Sequence, residues 1–149
     1  MVFGWFRSEQ RERRRKIRLD RKHLEPRARR FLISYLAAKE TAKPRFYRAV
    51  EDISRQCQPS SGLQSSEYDD AQIANAIADA AMKMVLAHKN AQREDDRIAN
   101  FATDASATVA IAYRRAAGAY TMDKEMKELG TAAVHLLTMA TSYMRAQEE

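Results

Sequence analysis

At 149 residues the chain is long enough for one domain with its own core. Only four glycines and three prolines are present, too few for the turns of an all-β fold, and alanine, the best helix former, is abundant. The formal charge of +6 is unevenly placed: residues 1–30 hold 12 Lys+Arg and 4 Asp+Glu, and the remainder is slightly acidic, so a basic arm precedes a near-neutral body.

Val2-Phe3-Gly4-Trp5-Phe6 opens the chain as a short apolar tip, too short for a signal-peptide core and followed, not preceded, by basic residues. No apolar run has the length of a membrane span. Residues 8–25 read as an Arg-rich helix capped by Ser8, with Glu9 in its first turn. Ile17, Leu19 and Leu24 are too few to bury a broad stripe. Glu25-Pro26 breaks this helix, because the residue before proline avoids the α region, and Pro26 opens the next. Phe31, Leu32, Tyr35 and Leu36 then follow at helical spacing. After a boundary at Lys43-Pro44, the residues Phe46, Tyr47, Val50, Ile53 and Cys57 mark the inner face of a third helix.

The clearest loop runs from Gln58 to Ser66 and divides an aromatic half from an Ala-rich half. Ser66 with Asp69 reads as a helix start. One seam then runs through Ile73, Ile77, Ala80, Met84 and Ala87; a second runs through Ile98, Phe101, Ala105, Val109, Ala112 and Ala116. The polar stretch between them predicts a turn near 90–95, with Asp95 as a cap; one long helix is the alternative. Gly118 ends or bends this segment. Thr121 or Asp123 caps the last helix, whose seam is Met126, Leu129, Ala133, Leu136, Ala140 and Tyr143. The expectation is an all-α, antiparallel bundle of about five to six helices. It comprises an N-terminal helical arm over 1–30 and a bundle over 31–149, with aromatic-rich helices over 31–57, a loop over 58–66 and Ala-rich helices over 67–147.

Catalytic patterns do not emerge. The four glycines are too scattered for a phosphate-cradling loop, and neither a paired-cysteine zinc motif nor a His-Glu-x-x-His is present. Cys57 is the lone cysteine and suits a helix face as a small hydrophobe; without a second cysteine no intrachain disulfide forms, which fits a reducing compartment. His23, His88 and His135 are dispersed, and Asp20 beside His23 lies inside the arginine run, where repulsion weakens cation binding. Asp69-Asp70 and Glu94-Asp95-Asp96 suit helix starts, and Arg114-Arg115 suits a helix end. No cofactor or metal is expected.

The N-terminus therefore carries the functional expectation. Phe3, Trp5 and Phe6 are joined to Arg7, Arg11, Arg13, Arg14, Arg15, Lys16, Arg18, Arg21 and Lys22. Aromatic side chains favour the lipid–water interface, and basic residues attract anionic headgroups. Two such signals in tandem predict a non-enzymatic membrane-surface adaptor or scaffold, cytoplasmic and peripheral to a membrane. Ten of the twelve basic residues in 1–30 are arginine, which also suits forked phosphate contacts and base stacking, so nucleic-acid binding is the alternative. A third reading docks the arm on an acidic partner protein, or uses the three-four seams for a homo-oligomer. The plainest is a solvated basic helix whose aromatics fold back on the bundle.

Overall fold

Among the described residues, Pro26, Pro44, Gly118 and Asp123 mark helix ends where the sequence places them. The computed structural model describes the backbone of residues 2–57 and 95–149 and the side chains of residues 7–56 and 100–149. Among these residues there are five helices and no strand: α1 (Val2–His23), α2 (Glu25–Ala37), α3 (Lys43–Cys57), α4 (Asp95–Ala116) and α5 (Lys124–Glu148). The loop at 58–66, the helix start at Ser66, the seam from Ile73 to Ala87 and the turn near 90–95 lie outside the described residues.

Ser8 does not cap α1. The helix begins at Val2, so Ser8 sits in its second turn. The break at Glu25-Pro26 is a one-residue joint at Leu24, with Pro26 in the first turn of α2. Backbone hydrogen bonding continues across the joint: the Leu24 amide donates to the Asp20 carbonyl and the Ala28 amide to the Leu24 carbonyl. Pro44 likewise stands in the first turn of α3. At the far end of α4, Gly118 takes φ 81°, and the amides of Gly118 and Ala119 donate to the carbonyls of Arg115 and Arg114. This is a Schellman closure, and the left-handed backbone explains the glycine. Asp123 then caps α5, its carboxylate accepting the Met126 amide at 3.0 Å.

Among the described residues all five helices contribute to the core, α1 through Ile17 alone. Phe31 of α2, Phe46 of α3 and Phe101 of α4 meet with ring centroids 5.2–5.3 Å apart, and Tyr47 stacks on Tyr143 of α5 at 5.2 Å. Phe46, Tyr47, Val50 and Ile53 are buried as their spacing requires. So are Met126, Leu129, Ala133, Leu136 and Ala140 of α5. The described α4 seam is buried at Ala105, Val109 and Ala112, but Ala116 is exposed where the helix ends. Between Ala102 and Ala112 the burial extends around α4 and makes it the central helix. Leu36 departs from expectation: it is 75 % exposed, because Phe31, Leu32 and Tyr35 already fill the core-facing side of α2.

Candidate functional site

The α1 helix divides by burial into an anchored face and a charged one. Arg7, Arg11, Arg13, Arg14, Arg15, Arg18, Arg21 and Lys22 are exposed and Lys16 is half-buried. Some of this charge is compensated within the helix: Arg13 lies 3.5 Å from Glu9 and Arg15 lies 3.9 Å from Glu12. Arg7, Arg11, Arg14 and Arg18 recur at steps of four, three and four. Among the described residues they make neither a hydrogen bond nor an ion pair. At about 100° per residue they fall roughly 180–240° around the helix from Asp20, so they line the side opposite the anchor. The side chains of Phe3, Trp5 and Phe6 lie outside the described residues; their backbone forms the first turns of the same helix.

Asp20 anchors α1. It is only 3 % exposed and accepts hydrogen bonds from Arg114, in the last turn of α4, and from the Tyr120 hydroxyl at 2.6 Å. Ile17 and Leu24 pack on the core beside it. Burial lowers the pKa of Arg114 from its ordinary value, yet a guanidinium remains charged, so Asp20 supplies its counter-ion. Arg21 forms a second tie, pairing with Asp123. The Met126 amide, with Arg21 as a lesser influence, holds the Asp123 carboxyl below the usual carboxylate range.

Two flanks of α1 differ in chemistry. On one, Arg11, Arg14, Arg15, Arg18 and Arg21, with Glu12 among them, border a groove of about 740 Å³ that ends on Met122 and Asp123, with Ile17 as an apolar wall. On the other, Glu9, Glu12, Arg13 and Lys16 face Ala117–Ala119 across about 200 Å³ of mixed charge. The arginines of α2 serve the fold. Arg30 forks onto the buried Asp104 of α4 at 2.7 and 2.8 Å, Arg27 stands 3.7 Å from the same carboxylate, and Arg29 pairs with Glu25. Of these two helices it is α1 that carries arginines left uncompensated among the described residues.

The sequence missed the roles of Asp20, Arg114, Tyr120, Arg30 and Asp104. Arg114 is not simply a cation at a helix end, since its guanidinium is committed to Asp20. No local pattern gives this away, because the partners lie 94 residues apart. The only hint was an aspartate at a helical position facing the same way as Ile17 and Leu24. His23 and His135 are exposed. The described residues contain no cluster of metal-ligating side chains and no helix long and apolar enough to cross a membrane. His88, the Cys57 side chain, Asp69-Asp70 and the side chains of Glu94-Asp95-Asp96 lie outside the described residues. No protein-family model, curated protein or solved structure matches the chain.

Proposed function

We propose that the chain is a non-enzymatic adaptor or scaffold that binds an anionic membrane surface, on its cytoplasmic side, through α1. In this reading the complete chain forms an antiparallel bundle of five to six helices that carries the arm. One observation supports it above the others: among the described residues the stripe of Arg7, Arg11, Arg14 and Arg18 has no hydrogen-bond or ion-pair partner, and it faces away from the Asp20 anchor and shares its helix with an aromatic tip. Phosphate binding alone accounts for the arginines but gives no use for Phe3, Trp5 and Phe6.

Trp5 is the only tryptophan, so its emission reports the arm directly. Anionic vesicles shift that emission to the blue, and neutral vesicles do so weakly. Each basic residue near such a surface contributes about 1 kcal/mol. Replacing the four stripe arginines by glutamine therefore weakens partitioning by roughly a thousandfold. Alanine at Phe3, Trp5 and Phe6 weakens vesicle co-sedimentation while leaving the charge intact, and added salt mimics the arginine variant. Absence of a blue shift, with salt-steep RNA binding that survives loss of the tip, refutes the membrane reading in favour of a nucleic-acid arm.

A further inference from the structure

A second surface, remote in character from the arginine stripe, lies between α2 and α5. Ile33 and Leu36 are 65 % and 75 % exposed, one turn apart on α2. They form one rim of a groove of about 510 Å³ whose floor includes Leu32 and Leu129, with Ala132 on the α5 side. Both walls repeat the same register. Arg29, Leu32, Ile33 and Leu36 on α2, and Glu125, Glu128, Leu129 and Ala132 on α5, each follow the i, i+3, i+4, i+7 spacing of a helix face that packs on other helices.

The charges at the groove fit a copy of itself. Arg29 stands on the α2 wall and uses its Nε on Glu25, leaving the other guanidinium donors available. Glu125 and Glu128 stand on the α5 wall and make no ion pair among the described residues. A two-fold axis along the groove lays α2 of each copy over α5 of the other. Ile33 and Leu36 then cover the apolar wall at Leu129 and Ala132, and Arg29 meets Glu125 and Glu128 twice, once in each direction. We propose that this groove is a homodimer interface in which α2 and α5 of two copies close a four-helix layer. The proposal stands apart from whatever the basic arm binds.

Analytical ultracentrifugation over a wide range of protein concentration tests it. The wild type sediments as a dimer at high concentration and dissociates on dilution. Leu36→Glu buries a carboxylate against the partner's apolar wall at Leu129 and Ala132 and weakens the dimer tenfold or more; circular dichroism stays unchanged because the side chain is already exposed. Arg29→Glu and the pair Glu125→Lys with Glu128→Lys each weaken self-association, since like charges then meet at both symmetric contacts. Mixing those two proteins restores a dimer, because both contacts in the mixed pair are attractive. That rescue needs no assumption about folding of the Leu36 variant. A wild type monomeric at every concentration overturns the proposal and leaves the groove to a foreign helix. So does a mixture no more associated than its components, or a dimer indifferent to Leu36→Glu.

Discussion

Replacing Asp20 by alanine should detach α1 from the bundle without melting the bundle. The substitution leaves Arg114 largely buried with its counter-ion gone, and removes the acceptor of the Tyr120 hydroxyl. Breaking one side of such a pair costs about 3–5 kcal/mol. Against that loss, the apolar docking of α1 is slight. Ile17, 8 % exposed, is its one buried hydrophobic side chain among the described residues and supplies at most about 1.5–3 kcal/mol. The Arg21–Asp123 pair, with Arg21 well exposed, adds about 0–1 kcal/mol. The cost thus rivals or exceeds these two contributions together, so the arm releases first and the penalty for the remaining bundle is capped. Amide hydrogen exchange measures this directly. Residues 10–23 should lose protection in Asp20→Ala while Ala105–Ala112 and Ala133–Ala140 keep theirs. Exchanging the pair for apolar residues, Asp20→Leu with Arg114→Met, should restore much of the α1 protection, since no buried charge is then stranded. Unchanged α1 protection in Asp20→Ala, or a loss below about 1 kcal/mol, would refute the reasoning.

Four other outcomes follow from the same geometry. Leu136→Ala should cost about 2–5 kcal/mol in urea unfolding, because the side chain is 2 % exposed. Gly130→Ala should destabilise despite alanine's better helix propensity: the new Cβ would stand 2.5 Å from Cβ of Arg115, and the overpacking cost of about 1–3 kcal/mol exceeds the roughly 1 kcal/mol gained. The Asp123 carboxyl titrates below its unfolded value, so its stabilisation is complete above about pH 4 and disappears as pH falls through the lower folded value. The stability gap between wild type and Asp123→Ala, about 0.5–2 kcal/mol near neutrality, should therefore close in acid. The Tyr35 hydroxyl is pushed up to about 12, first by burial and then by its hydrogen bond with Tyr47. Its stabilising share should persist to about pH 10 and be lost as pH rises toward 12, and Tyr35→Phe should flatten that alkaline limb.

Most of the described helical framework was legible because its signals are local. Pro26 and Pro44 open helices through a fixed φ and a missing donor, and Gly118 closes one through its left-handed backbone. The three-four spacing from Met126 to Ala140 needs only one buried face to be read correctly. Failures arose where the answer lay on another helix. Leu36 looks like a core residue beside Tyr35, and only the arrangement of α3 and α5 leaves it outside. Gly130 appears in sequence as an unremarkable small residue, whereas the side chain of Arg115 lies where its Cβ would be. Ser8 had the chemistry of a cap, but helix formation extends through the apolar tip to Val2.

Charge placement shows why arginine count alone was an incomplete guide to the site. An Ala-rich bundle with small-residue faces leaves helices several ways to slide past one another, and apolar contacts tolerate such slippage better than hydrogen bonds do. Here the described helices are tied by polar contacts at distinct points. Asp20 joins α1 to Arg114, Arg30 joins α2 to Asp104, Ser54 of α3 meets Tyr113 of α4 at 2.7 Å, and Glu51 of α3 meets Thr141 of α5 at 3.2 Å. Each tie suits one register, and a shift of either helix would strand a buried polar group. Arginines engaged this way are withdrawn from any partner. What remains on α1 is a stripe whose direction is fixed by the one aspartate on its opposite side. The anchor that costs a buried charge also determines which way the uncompensated arginines face.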